Sequence, residues 1–141
     1  KCASGARQMK EPLWLNQDEI LAIHAELLDW FGGAGGVRDI GLLEAALQRP
    51  MNRFHYEDPS PSLFELAAAY AEAIVGKHPF VDGNKRTGFM AAYVFLGANG
   101  FDLVASEESA VERTLALAAR AIGESEYAAW LTDNCDPSTG S

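Results

Sequence analysis

Basic side chains are scarce in this chain. Only 11 lysines and arginines stand against 20 aspartates and glutamates, for a formal net charge of −9. A nucleic-acid binder needs a concentrated positive face to meet phosphates, so direct binding to nucleic acid is not expected. A charged nucleotide can still be held by a local basic site. Cysteine is nearly absent: Cys2 and Cys135 lie near opposite ends, and their spacing fits neither a disulfide framework nor a metal site. No apolar run approaches the about 18 residues that a membrane span requires. No charged-then-apolar signal segment opens the chain. These absences read as a cytoplasmic protein with no membrane partner. Repeats, low-complexity tracts and linkers are also lacking, and no run of alternating residues is long enough for a substantial sheet.

What is present is apolar mass at helical spacing. Apolar residues make up 48% of the 141 residues, enough for one domain with one core. Residues 1–8 have no periodicity and read as a tag or vector remnant, the domain as 9–135, and 136–141 as a disordered tail. Asn16 and Glu19 form a capping box ahead of Ile20, Ile23, Leu27 and Phe31, which share one helical face. Gly32, Gly33, Gly35 and Gly36 read as a helix stop and a flexible turn. Leu42, Leu43, Ala46 and Leu47 mark a short helix that Pro50 ends. Residues 51–60 show no period and read as a loop or short hairpin. Ser62 and Glu65 cap a helix through Leu66, Ala69, Ala73 and Ile74 to about Gly76. Another starts near Asn84 and closes at Asn99 and Gly100. Phe101 to Leu103 link to a helix capped by Ser106 and finished by Ile122 and Gly123. Ser125 caps a last one carrying Tyr127, Trp130 and Leu131. The expected fold class is all-α: a compact bundle of about six helices with a short flap loop or hairpin.

The chemistry-bearing stretch is His78-Pro79-Phe80-Val81-Asp82-Gly83-Asn84-Lys85-Arg86. It crowds an imidazole, a carboxylate, an amide and two cations into a loop that enters a helix. Such an entry points free N–H groups outward, and the helix dipole favours an anion there. Lys85 and Arg86 in the first turn run against the usual charge preference, which suggests that they meet something anionic. Gly83 suits a turn and lets a phosphate approach the backbone. His78 can take a proton from a hydroxyl near neutral pH. Asp82 can hold Mg²⁺, which keeps waters and substrate phosphates among its oxygen ligands. Asn84 can donate to a phosphate oxygen, Lys85 supplies a point charge, and Arg86 supplies a bidentate fork. Any one of these residues alone is more often structural; their crowding at a helix start is the signal. No P-loop and no dinucleotide fingerprint is present.

The stretch resembles the signature of the Fic/Doc family, His-Pro-Phe-x-Asp/Glu-Gly-Asn-Gly/Lys-Arg, and with lysine in the penultimate place it looks like the Doc (death-on-curing) toxin branch. The likeness extends over residues 9 to about 134, through Trp14-Leu15, Gly41 to Leu47, Arg49-Pro50 and Phe95 to Gly100. The resemblance implies an all-α fold with a small flap and ATP with Mg²⁺ at the motif. It implies His78 as general base, Phe80 as anchor of the loop in the core, Asp82 as metal ligand, Gly83 and Asn84 in the anion-binding nest, and Lys85 and Arg86 on the phosphates. Met51, Asn52, Arg53, Phe54, His55 and Tyr56 fall where the family keeps the flap that aligns the target segment. Adenylylating members carry glycine at the place of Lys85 and a second arginine at the place of Phe89. Doc toxins share both departures and look like protein kinases that move the γ-phosphoryl of ATP to a threonine of elongation factor Tu, arresting translation. AMP transfer is the alternative reading, and a catalytically silent partner-binding module a third. No Ser/Thr-x-x-x-Glu-Gly/Asn inhibitory motif occurs, so inhibition by a separate antitoxin protein is expected. Among the remaining residues, His24 reads as a core or interface histidine, and Trp14, Trp30 and Trp130 as core or interface aromatics.

Overall fold

The computed structural model describes residues 10–138. Within them the chain forms six helices and one small sheet: α1 (Gln17–Phe31), α2 (Ile40–Tyr56), α3 (Leu63–Lys77), α4 (Asn84–Ala98), β1 (Phe101–Leu103), α5 (Glu107–Ala118), α6 (Glu124–Asp133) and β2 (Cys135–Pro137). The all-α class holds. The reading of residues 1–8 and Cys2 lies outside the described residues.

α3 is the spine. Nine of its 15 residues are buried, from Leu66 to Val75, and a helix apolar on every side belongs inside. The small side chains of Ala67, Ala68, Ala71 and Ala73 let neighbours come close, and α2, α4 and α6 pack around it. At Gly88 the α3–α4 approach is too close for a side chain. A Cβ there would lie 2.7 Å from Val75 Cγ2 and 3.1 Å from the Ala71 carbonyl oxygen. Both capping boxes are formed, Asn16 with Glu19 and Ser62 with Glu65. The segment before α1 is tied down by polar side chains. Tyr70 Oη accepts the Leu15 N–H at 3.0 Å, and the Asn99 amide bonds both backbone groups of Leu13.

Several expectations need correction. Pro50 does not end a helix; it lies inside α2, and Met51, Asn52, Arg53, Phe54, His55 and Tyr56 are helical rather than a loop or hairpin. Proline removes one i→i−4 bond, but tertiary contacts hold the turns beyond it. Arg53 bonds Glu57 at 2.9 Å and Glu124 at 2.7 Å, Arg49 pairs with Glu124, and Phe54 packs edge-on against Trp14. α6 starts at Glu124 with Gly123 as its N-cap, two residues ahead of the expected cap Ser125, and Glu126 Oε1 accepts the Gly123 N–H. Phe101 to Leu103 are not a bare link. They pair antiparallel with Cys135 to Pro137, in the register Phe101 with Pro137 and Leu103 with Cys135. Asp136 and Pro137, expected in a disordered tail, are therefore held in a ladder, and Ser138 N donates to the Gly100 carbonyl.

Candidate active site

The motif forms the α3–α4 connection. α3 ends at Lys77, and His78 caps it in the left-handed region at φ 52°, ψ 57°. Its imidazole is exposed. Phe80 turns inward, 1% exposed, and stacks face to face on His24 with ring centroids 3.8 Å apart. His24 is itself buried, and its Nε2 donates to the Asp82 carbonyl at 2.7 Å. His24 is thus a core histidine that also supports the site.

Asn84 has a different task from the one expected for its side chain. Its Oδ1 accepts the Phe80 N–H at 3.0 Å, and its Nδ2 donates to the Phe80 carbonyl at 2.9 Å. This buried amide closes the loop on itself rather than reaching for a phosphate. Gly83, at φ 83°, is the N-cap of α4, and no side chain caps that helix. The N–H groups of its first turn remain directed at whatever binds there. Lys85 and Arg86 flank this end and are exposed. The Arg86 guanidinium lies over the Phe31 ring at 4.2 Å. Stacking holds the plane of the guanidinium and leaves its N–H edge available. The helix end with its two cations suits a polyphosphate.

Asp82 is exposed, and its Oδ1 accepts the Gly83 N–H at 2.9 Å. Among the described residues no three His, Cys, Asp or Glu side chains converge into a metal cage. A lone carboxylate beside a phosphate site does suit Mg²⁺, which is typically held by one or two carboxylates and by substrate oxygens. Asp82 would be its protein ligand.

The glycine-rich turn after α1 was not expected near the motif, yet it lies against it. Val81 N donates to the Gly36 carbonyl at 3.1 Å, and Val37 forms an isolated β-bridge with Phe80. At Gly33, with φ 120°, a Cβ would fall 2.7 Å from Asp82 Oδ2. Arg38 follows on this turn and reaches the end of α3. No local sequence signal marked Arg38, which stands between the glycine-rich turn and Asp39, the N-cap of α2. By contrast, Met51 to Tyr56 turn elsewhere. Their ring and polar contacts go to Trp14, Glu11, Gln48, Ser60, Glu57, Glu65 and Glu124, and none to the motif loop.

The motif and the helices around it match the model of the Fic/DOC family over residues 14–96. The chain belongs to the Fic/DOC family. Its relatives lie on the Doc side of it. It is 47% identical over 75 residues to the Toxin Doc of Mycolicibacterium smegmatis, a match covering 53% of this chain and 58% of that protein. It is 36% identical over 96 residues to the Protein kinase doc of Escherichia phage P1, covering 68% of this chain and 75% of the relative. No helix among the described residues is long and apolar enough to cross a membrane.

Proposed function

We propose that this chain is a Doc-type toxin that acts as a protein kinase, moving the γ-phosphoryl group of ATP to a serine or threonine hydroxyl of a translation factor, with elongation factor Tu as the leading target. The observation that carries the reading is the uncapped start of α4 with Lys85 and Arg86 exposed beside His78 and Asp82. The phage P1 relative is named a protein kinase, which supports the kinase choice. Lys85 fills with a charged side chain the place where adenylylating members have glycine. This favours seating the terminal phosphate, not the α phosphate, toward His78.

In this reading the acceptor hydroxyl gives its proton to the His78 imidazole as its oxygen forms a bond to the γ phosphorus. The bond between that phosphorus and the bridging oxygen of ADP breaks, and ADP leaves. His78 then passes its proton to solvent. Lys85, Arg86 and the N–H groups of α4 stabilise charge that grows on the phosphoryl oxygens. Mg²⁺ on Asp82 would neutralise phosphate charge when bound. A cleft of about 120 Å³ beside His78, lined by Glu72, Gly76, Leu117 and Arg120, has room for one side chain rather than a nucleotide. An antitoxin acting in trans would block the site by placing a carboxylate near Arg86, in competition with phosphate.

The test is incubation with a translation extract and ATP labelled at the α or the γ phosphate, followed by intact-protein mass measurement of the modified target. Label from γ alone and a gain of one phosphate are expected. Label from α alone with a gain of one AMP would replace this reading by AMP transfer, and no label from either would leave the partner-binding module.

A further inference from the structure

His78 has an exposed imidazole on a backbone pinned from outside its own helix. We propose that Arg38 is a positioning residue for the general base, setting the direction in which the His78 side chain leaves the chain. The inference deepens the reading of His78 as base and rests on it.

One arginine meets three successive carbonyls. Arg38 Nε donates to the His78 carbonyl at 2.7 Å, and Nη2 donates to the Lys77 carbonyl at 2.9 Å. Its own backbone N–H donates to the Pro79 carbonyl at 2.7 Å, which also accepts the Asp39 N–H at 3.1 Å. These carbonyls bracket His78 on both sides. The guanidinium is planar and rigid, so bonding two of them fixes the angle between the peptide planes before and after the His78 Cα. That angle is the backbone conformation of His78. The conformation needs fixing, because φ 52° is left-handed and an L residue with a Cβ does not rest there unaided. Helices that end this way commonly use glycine. A glycine would have no imidazole, so the chain keeps histidine and holds it from Arg38. The end of α3 also favours a cation, since its last carbonyls carry partial negative charge. Arg38 is exposed and belongs to no part of the core. Its loss therefore removes the clamp and leaves the packing in place.

The experiment compares wild type, Arg38→Ala and Arg38→Lys, using whichever ATP label the wild type transfers. In Arg38→Ala, kcat is expected to fall on the order of 10²-fold, the cost of displacing a reacting group. KM for ATP should stay within about twofold, because the clamp makes no ground-state contact with nucleotide. Arg38→Lys can bond one carbonyl but not both, and should fall in between. It also supplies the reading should Arg38→Ala not fold. Methylguanidinium added to Arg38→Ala should restore part of the rate. A kcat within about threefold of wild type, or a raised KM for ATP with kcat unchanged, would overturn the proposal. If wild type transfers neither label, the functional reading fails on its own, and the His78 ¹³Cα and ¹³Cβ shifts decide the matter. They should report a left-handed backbone in wild type and its loss in Arg38→Ala; identical shifts in both would refute the clamp.

Discussion

At His78 the side chain and the backbone make opposite demands, and the two can be separated by substitution. In the proposed reading His78→Ala and His78→Gly both remove the base, so each should lower transfer by about 10²–10⁴-fold. They should differ in stability. Glycine accepts φ 52° without a Cβ penalty, so His78→Gly should be more stable than His78→Ala by about 1–2 kcal/mol. Paired thermal melts followed by far-UV circular dichroism read that difference, and a lower melt for the glycine variant would contradict it. Asn84 tests the closure of the loop. Asn84→Ala strips the Phe80 N–H and carbonyl of their partner, at about 1–3 kcal/mol for each buried group left unpaired. Asn84→Asp keeps an acceptor for the N–H and should recover part of that loss. Denaturant midpoints for the two variants check the order.

Between α3 and α4 the close approach at Gly88 makes a prediction about elements. A Cβ there meets Val75 Cγ2 at 2.7 Å, so Gly88→Ala should destabilise by about 1–3 kcal/mol through overpacking. Val75→Ala in the same molecule removes the clashing methyl and should restore part of the loss; a strictly additive double variant would show that the clash is relieved by other means. Helix starts were readable where a capping box marked them, while the expected end at Ile122 and Gly123 was too late, since α5 stops at Ala118. Asn16 with Glu19 and Ser62 with Glu65 cap helices as their spacing announced. The length of α2 was not readable, because Pro50 is a local stop and the groups that override it, Glu124 and Trp14, lie far away in sequence. The β1–β2 ladder was hidden for a similar reason: three-residue strands are too short to show alternation, and their partner is over 30 residues distant. The site divides the same way. Between His78 and Arg86 the crowding of polar groups at a helix start was legible, while the buried closure of the loop by Asn84 was not. Arg38 and His24 reach that loop from other elements, and helical spacing places His24 on a face without saying what covers it.

Across the whole molecule, two buried tyrosines set a limit at high pH. Burial pushes both phenols up to about 12, Tyr70 despite the Leu15 N–H and Tyr127 despite its bond to Thr114. The folded value lies above the unfolded one, so their contribution is fully present below pH 10 and is lost as pH rises toward 12. Stability should therefore fall across that window, with tyrosinate absorbance from these two rings appearing together with unfolding. The variants Tyr70→Phe and Tyr127→Phe should each flatten the decline, and an equally steep decline in both would assign it to other groups. The Asn84 closure has a consequence at this same scale. Loops normally trade amide protons with solvent through small, frequent openings, while core helices trade them only when the molecule opens as a unit. The Phe80 N–H sits in a loop but is bonded to a buried side chain from the next helix and backed by the His24 ring. In heavy water it should exchange with the slow class of α3, while the amide of the exposed Asp82 exchanges earlier. The motif loop would then carry one proton whose lifetime measures the persistence of the entire fold.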